Sequence, residues 1–204
     1  MQPNPSVNLM SDDMAPWPFA TQLQRQPSQM HTRSAIQSVR HIAESRPSII
    51  PDGPGVYAFW WIGDRAKLLS SNRTVVLKGP SEVRVSVEYR DWWPEDLVYP
   101  CLYVGKSTNL RKRFGLHIKS KSQGRLYVPH VEHHKATPST TSCQLRWGIE
   151  HIFPREENPL NLIRDSVGFS YRTNFGDNAI AERFFEEDRL VGTWRPWFNI
   201  DSER

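Results

Sequence analysis

Val83, Val85, Val87 and Tyr89 alternate with Arg84, Ser86, Glu88 and Arg90, the period of a strand with one packed face and one polar face. With the TVVL run before it and KGPS between, this spacing predicts a β-hairpin. Upstream, Ala35, Ile36, Val39, Ile42 and Ala43 recur at helical spacing in TRSAIQSVRHIAES. That pattern predicts an amphipathic helix over 32–45, ending before Pro47. A Pro/Gly turn then feeds the aromatic strand GVYAFWW, CLYVG reads as a further strand, and CQLRWGIEHIF at 143–153 as another. Segments 106–119 and 177–191 read as helices, the second capped by the GDNAI turn and stopped by Gly192. There is no internal repeat. The elements make a mixed α+β layer, strands gathered centrally and helices between and after them.

Composition adds bounds. At 204 residues, 38% hydrophobic and 24% charged, the chain can bury one core. Residues 1–31, rich in Pro, Gln, Ser and Met, read as a flexible N-terminal arm on a single domain over 32–204. The net charge of +4 is modest but unevenly placed. Lys106, Arg111, Lys112, Arg113, Lys119, Lys121 and Arg125 follow one another with no acid among them, a patch suited to a phosphate-bearing partner. Cys101 and Cys143 lie in apolar runs, which argues against a disulfide framework. MQPNPSVNLMSDDM lacks the basic and apolar regions of a leader, and no apolar run approaches a membrane span. The expectation is a cytoplasmic protein with no membrane partner.

The basic segment raises a chemical question. On a helix Leu110, Arg113, Phe114 and His117 share a face, while Arg111 and Lys112 turn away. A guanidinium at the edge of an apolar stripe needs an anion, either a structural carboxylate or a phosphate oxygen that fits its planar fork. The late stretch AERFFEEDRLVGTWRPWFN offers the glutamates Glu182, Glu186 and Glu187. A stripe through Ile180, Phe184, Glu187 and Val191, with Leu190 adjacent, selects Glu187. A carboxylate aimed inward suits a hard divalent cation; the alternative is a surface Glu paired to Arg183. His130, His133 and His134 lack paired cysteines at zinc spacing. Trp60, Trp61, Trp92 and Trp93 read as packing before base stacking.

Gly55-Val56-Tyr57, Tyr103-Val104-Gly105, Arg113 eight residues after Gly105, His117 four further on, Glu187 with Leu190 and Val191, and Pro196-x-x-Asn199 together resemble the GIY-YIG nuclease family over roughly residues 53–200. The resemblance implies a small central antiparallel sheet flanked by helices, a GIY-YIG-like core carrying the hairpin as an insertion. It also implies Mg²⁺-dependent hydrolysis of a DNA phosphodiester, with Mn²⁺ an alternative cofactor. Glu187 is then the metal ligand, Tyr57 with Lys106 positions or deprotonates water, and Arg113 neutralises charge. His117 and Tyr103 orient the phosphate, and Asn199 ties the chain end to the site. Tyr57 has an ordinary pKa of about 10 and needs a cationic neighbour or the metal for base chemistry.

The two tripeptides are separated by 45 residues, Ala58 to Leu102, where the minimal pattern has a short hairpin. An embellished compact chain resembles the restriction enzymes of this family. DNA contacts are then expected from Arg111, Lys112, Lys119, Lys121 and Arg125, with Arg84 and Arg90 on the hairpin, which could instead make a homodimer contact. The alternatives are a structure-specific or single-strand nuclease of repair or phage defence, and a catalytically silent nucleic-acid-binding module.

Overall fold

The computed structural model describes residues 36–78, 83–118 and 144–200. The flexible arm at 1–31, residues 32–35 of the expected first helix, the hairpin-turn residues 79–82, Lys119, Lys121, Arg125, His130, His133, His134 and Cys143 lie outside them.

The chain is an α+β protein built on a four-stranded antiparallel sheet. β1 is Gln37–Ser38, β2 Gly55–Trp61, β5 Cys101–Ser107 and β6 Val167–Arg172, in the order β1-β6-β2-β5. β3 (Thr74–Lys78) and β4 (Arg84–Glu88) form a separate two-stranded sheet, the expected hairpin. Every residue of β2 is buried, because this central strand is covered on both faces. On one face Tyr57, Phe59, Tyr103 and Phe169 meet α3 (Leu110–Ile118), with Phe59 stacked on Phe114 at 6.5 Å. On the other face Trp60 packs at 4.7 Å against Trp194 of α6 (Ile180–Trp194) and donates its indole N–H to Ser170 Oγ at 2.8 Å.

Several sequence expectations are corrected. The helix expected over 32–45 is α1, Val39–Glu44; Gln37 and Ser38 pair with β6 instead, and Ser38 Oγ caps the helix by accepting from His41 N. The segment 143–153 is not a strand but the helix α4, Gln144–Ile152. Leu145, Ile149 and Ile152 stand at i, i+4 and i+7, the spacing of one helix face and not of a strand. The helix is buried nearly all round, Arg146 and Glu150 pairing inside it at 2.8 Å. The helix of 106–119 starts only at Leu110, since Lys106 and Ser107 still belong to β5. Gly192 does not stop α6, which runs to Trp194 and ends on Arg195 in the left-handed region, φ 49°. GDNAI supplies no side-chain cap there; the buried Arg183 donates to the Gly176 carbonyl at 3.0 Å and so holds that turn. β6 and α5 (Pro159–Ser166) were not foreseen, although Val167, Phe169 and Tyr171 alternate with small or polar residues.

The long segment between the tripeptides is anchored to the chain end. Tyr89 stacks on Trp197 at 5.3 Å, Trp93 on the same ring at 4.6 Å, and Trp197 donates to the Arg90 carbonyl. Trp60, Trp61 and Trp93 are buried, and Trp92 donates to the Arg195 carbonyl, so the tryptophans do serve packing. Between β2 and the hairpin lies the short helix α2, Arg65–Leu69. No described helix is long and apolar enough to cross a membrane.

Candidate active site

Both tripeptides are explained by close approach. A β-carbon on Gly55 would lie 2.4 Å from the Arg172 carbonyl oxygen and 2.6 Å from Leu110 Cδ1; one on Gly105 would lie 2.6 Å from Tyr57 Oη and 3.0 Å from Tyr103 Cε1. Gly105 is the direct partner of Tyr57 in the β2–β5 ladder. Side chains on paired residues share a face, and the missing one lets the Tyr57 ring lie across the neighbouring strand.

The Tyr57 hydroxyl lies 3.1 Å from His117 Nε2 and is hydrogen-bonded to Tyr103. His117 is brought there by α3, whose Leu110, Phe114 and Ile118 hold the helix on the sheet. Its Nδ1 is buried without a partner among the described residues. Burial, with the Arg113 charge added, lowers the His117 pKa to about 3, so the ring is neutral. Burial foremost, then Tyr103, raises Tyr57 well above its ordinary value; Arg113 is the one cation that opposes this. The expectation that Lys106 activates Tyr57 is therefore corrected: the cation that acts on it is Arg113.

Arg113 is half-buried, and its guanidinium has no hydrogen-bond or ion-pair partner among the described residues. The structural-carboxylate reading finds no support there. Arg111, by contrast, donates to the Ile50 carbonyl at 2.8 Å and pairs with Asp52, so it is not a free phosphate contact. Lys112 is exposed.

Lys106, opposite Val56 in the ladder, points to the other face from Tyr57 and makes a close ion pair with Glu187 Oε2. The stripe expected to select Glu187 is corrected: α6 buries Arg183, Leu190 and Trp194, while Ile180 and Phe184 stand exposed. Glu187 is nevertheless turned toward β5, its side chain 16% exposed. Glu186 is equally sheltered but matched by Arg172 at 3.2 Å and Arg189 at 2.8 Å, and these arginines draw its pKa down against the cost of burial. Glu182 is exposed. Arg183 is not the partner of Glu187.

Asn199 accepts from Val104 N at 2.7 Å and donates to Val104 O at 2.8 Å. It thus caps the free edge of β5 and ties the chain end to the site. Around that edge Arg113, on α3, and Glu187, on α6, approach from opposite faces of the sheet, and both charges act on Tyr57.

Among the described residues no three His, Cys, Asp or Glu side chains group as a metal cage. Glu187 offers a hard oxygen already matched by a cation. Mg²⁺ commonly takes one or two carboxylates and completes its shell with water and substrate phosphate, so one sheltered carboxylate fits such an ion. Arg84 lies on the outer face of the hairpin with Ser86 and Glu88; Arg90, beyond β4, approaches Glu88 at 3.5 Å. No family model, curated protein or solved structure matches this chain.

Proposed function

We propose that this chain is a divalent-metal-dependent DNA endonuclease of the GIY-YIG kind, working as a type II-like restriction enzyme. One observation carries the reading: Tyr57, Tyr103, Arg113, His117 and Glu187, spread over four elements, converge around the edge of β5 with an arginine that no described carboxylate neutralises. A phosphodiester supplies the missing anion, and the guanidinium fork stabilises the charge that develops on it. Neutral His117 and Tyr103 hold the Tyr57 hydroxyl in place, and that hydroxyl orients phosphate or water. Glu187 would hold Mg²⁺ or Mn²⁺, which would supply Lewis-acid polarisation of the phosphate.

The test is digestion of mixed plasmid and single-stranded DNA by the full chain with Mg²⁺, the ends being sequenced. Glu187→Ala is expected to abolish cleavage while keeping DNA binding, with Glu182→Ala and Glu186→Ala still active. Arg113→Ala should slow cleavage by about 100- to 1,000-fold with little loss of binding. A Glu187→Ala variant as active as the wild type would remove the metal-ligand role. The second reading is a nucleic-acid-binding module without cleavage. It is favoured by the burial that keeps Tyr57 protonated and by the Lys106 ammonium held on Glu187. Binding by the wild type without cut ends under Mg²⁺ and Mn²⁺ would select it.

A further inference from the structure

Three large apolar side chains stand exposed on one helix: Ile180 at 68%, Phe184 at 47% and Phe185 at 68%. Scattered exposed apolar residues are ordinary, but Phe184 is tied to the candidate site. The Lys106 ammonium lies 4.7 Å from its ring centroid, and the same ammonium pairs with Glu187. Phe185 meets it edge-on at 6.0 Å. Phe184 also precedes Glu187 by three positions, so the two are neighbours on the helix surface. The ring is fixed beside the carboxylate while about half of the residue faces solvent.

We propose that Phe184, with Phe185 at its edge, is a stacking platform for an unpaired nucleobase next to the phosphate bound at the site. The inference rests on the nuclease reading above. An exposed aromatic ring next to a phosphate-binding site is how single strands are held, because every base has a π face. Two of the four acids on this helix are matched, Glu186 by Arg172 and Arg189 and Glu187 by Lys106, while Glu182 and Asp188 are exposed at the edge of the patch. A second copy of the chain fits less well. Glu182 and Asp188 are exposed on the same helix, and pairing α6 with itself sets like charges close together. Three side chains are also a small part of the roughly 800 Å² per partner that a stable interface buries.

The experiment measures binding of the full chain to a single-stranded oligonucleotide carrying a fluorescent purine analogue, without divalent metal and at two salt concentrations. Phe184→Ala is expected to weaken binding about 5- to 150-fold, the worth of one stacked base, with the salt dependence unchanged. Phe184→Tyr should bind as the wild type, and Phe184→Leu should be as weak as alanine. A leucine variant that binds like the wild type, or an alanine variant with undiminished affinity, overturns the platform while leaving the nuclease reading intact. So does sedimentation that shows a dimer lost in Phe184→Ala with oligonucleotide affinity unchanged. If the wild type binds no nucleic acid, the nuclease reading fails and the platform with it.

Discussion

The Tyr57 ring is fully buried and cannot swing away from its neighbours, so a methyl group added at Gly105 has nowhere to go. Gly105→Ala is expected to destabilise the fold by about 1–3 kcal/mol through overpacking and to move the Tyr57 hydroxyl off His117. Gly115, half-buried on α3, has nothing within 4 Å of its missing β-carbon; Gly115→Ala should stabilise by roughly 0.5–1 kcal/mol because alanine loses less backbone entropy. Denaturant titration of both variants checks the pair, and responses of the same sign would contradict the described packing. His117 gives a pH dependence of known sign. Its native pKa of about 3 lies below the usual 6.5, so the unfolded chain takes up a proton that the native site refuses. The stability from this group is full above pH 6.5 and is lost as pH falls toward 3, at up to about 1.4 kcal/mol per pH unit. His117→Gln should therefore lose stability less steeply than the wild type over that window, measured by denaturation at a series of pH values; parallel curves would mean that His117 is not held neutral.

At the scale of elements, α6 shows how a helix can be found in the sequence yet rotated in the reading. Ile180, Phe184 and Val191 mark an apolar stripe, but the buried residues are Arg183, Leu190 and Trp194. A buried arginine and a tryptophan at the end carry the packing that hydropathy gave to exposed phenylalanines. The end of the helix is also decided by packing: Trp194 is drawn down onto Trp60, and Arg195 takes the left-handed turn that Gly192 was expected to take. Gly192 is exposed, with nothing within 4 Å of its missing β-carbon. Gly192→Ala is accordingly expected to raise stability by about 0.5–1 kcal/mol. A left-handed terminus at 192 would instead make the change destabilising, so the sign of the shift in thermal midpoint discriminates between the two.

At the scale of the whole molecule, the hairpin is joined to the site only through intermediaries. Its root touches α4, where His151 Nε2 lies 2.8 Å from the Thr74 carbonyl oxygen, and the loop after it is stacked on Trp197, two residues before Asn199. A two-stranded ribbon carried beside the candidate site is the arrangement in which arginines could read guanine edges in a major groove. Arg84 is exposed with Ser86 on the outer face, while Arg90 is engaged near Glu88, so Arg84 is the stronger candidate. If the ribbon reads sequence, Arg84→Ala should relax the motif at the cut ends by roughly 1–3 kcal/mol of discrimination and leave hydrolysis of preferred sites measurable, with Arg90→Ala giving less. Sequencing the ends from wild type and both variants decides it; identical motifs would take the hairpin out of recognition.

What the sequence determined by itself was local: the period of two in Val83 to Tyr89, the glycines placed against tyrosines in the two tripeptides, and the shared face of Leu110, Arg113, Phe114 and His117. Each is set by geometry within a few residues, where the spacing of side chains fixes which face is covered. Only the tertiary structure decided what covers it. α4 buries its charged pair Arg146–Glu150 together with Leu145, Ile149 and Ile152, a covering that the polar positions do not announce. β6 entered the middle of the sheet through pairings with residues more than a hundred positions away. Lys106 went to Glu187 because α6 lies across the opposite face of β5 from Tyr57. The protonation of Tyr57 and His117 followed from the same assembly, since the energy of a charge depends on the solvent excluded and the ions brought near, and both arrive from parts of the chain that a local pattern does not contain.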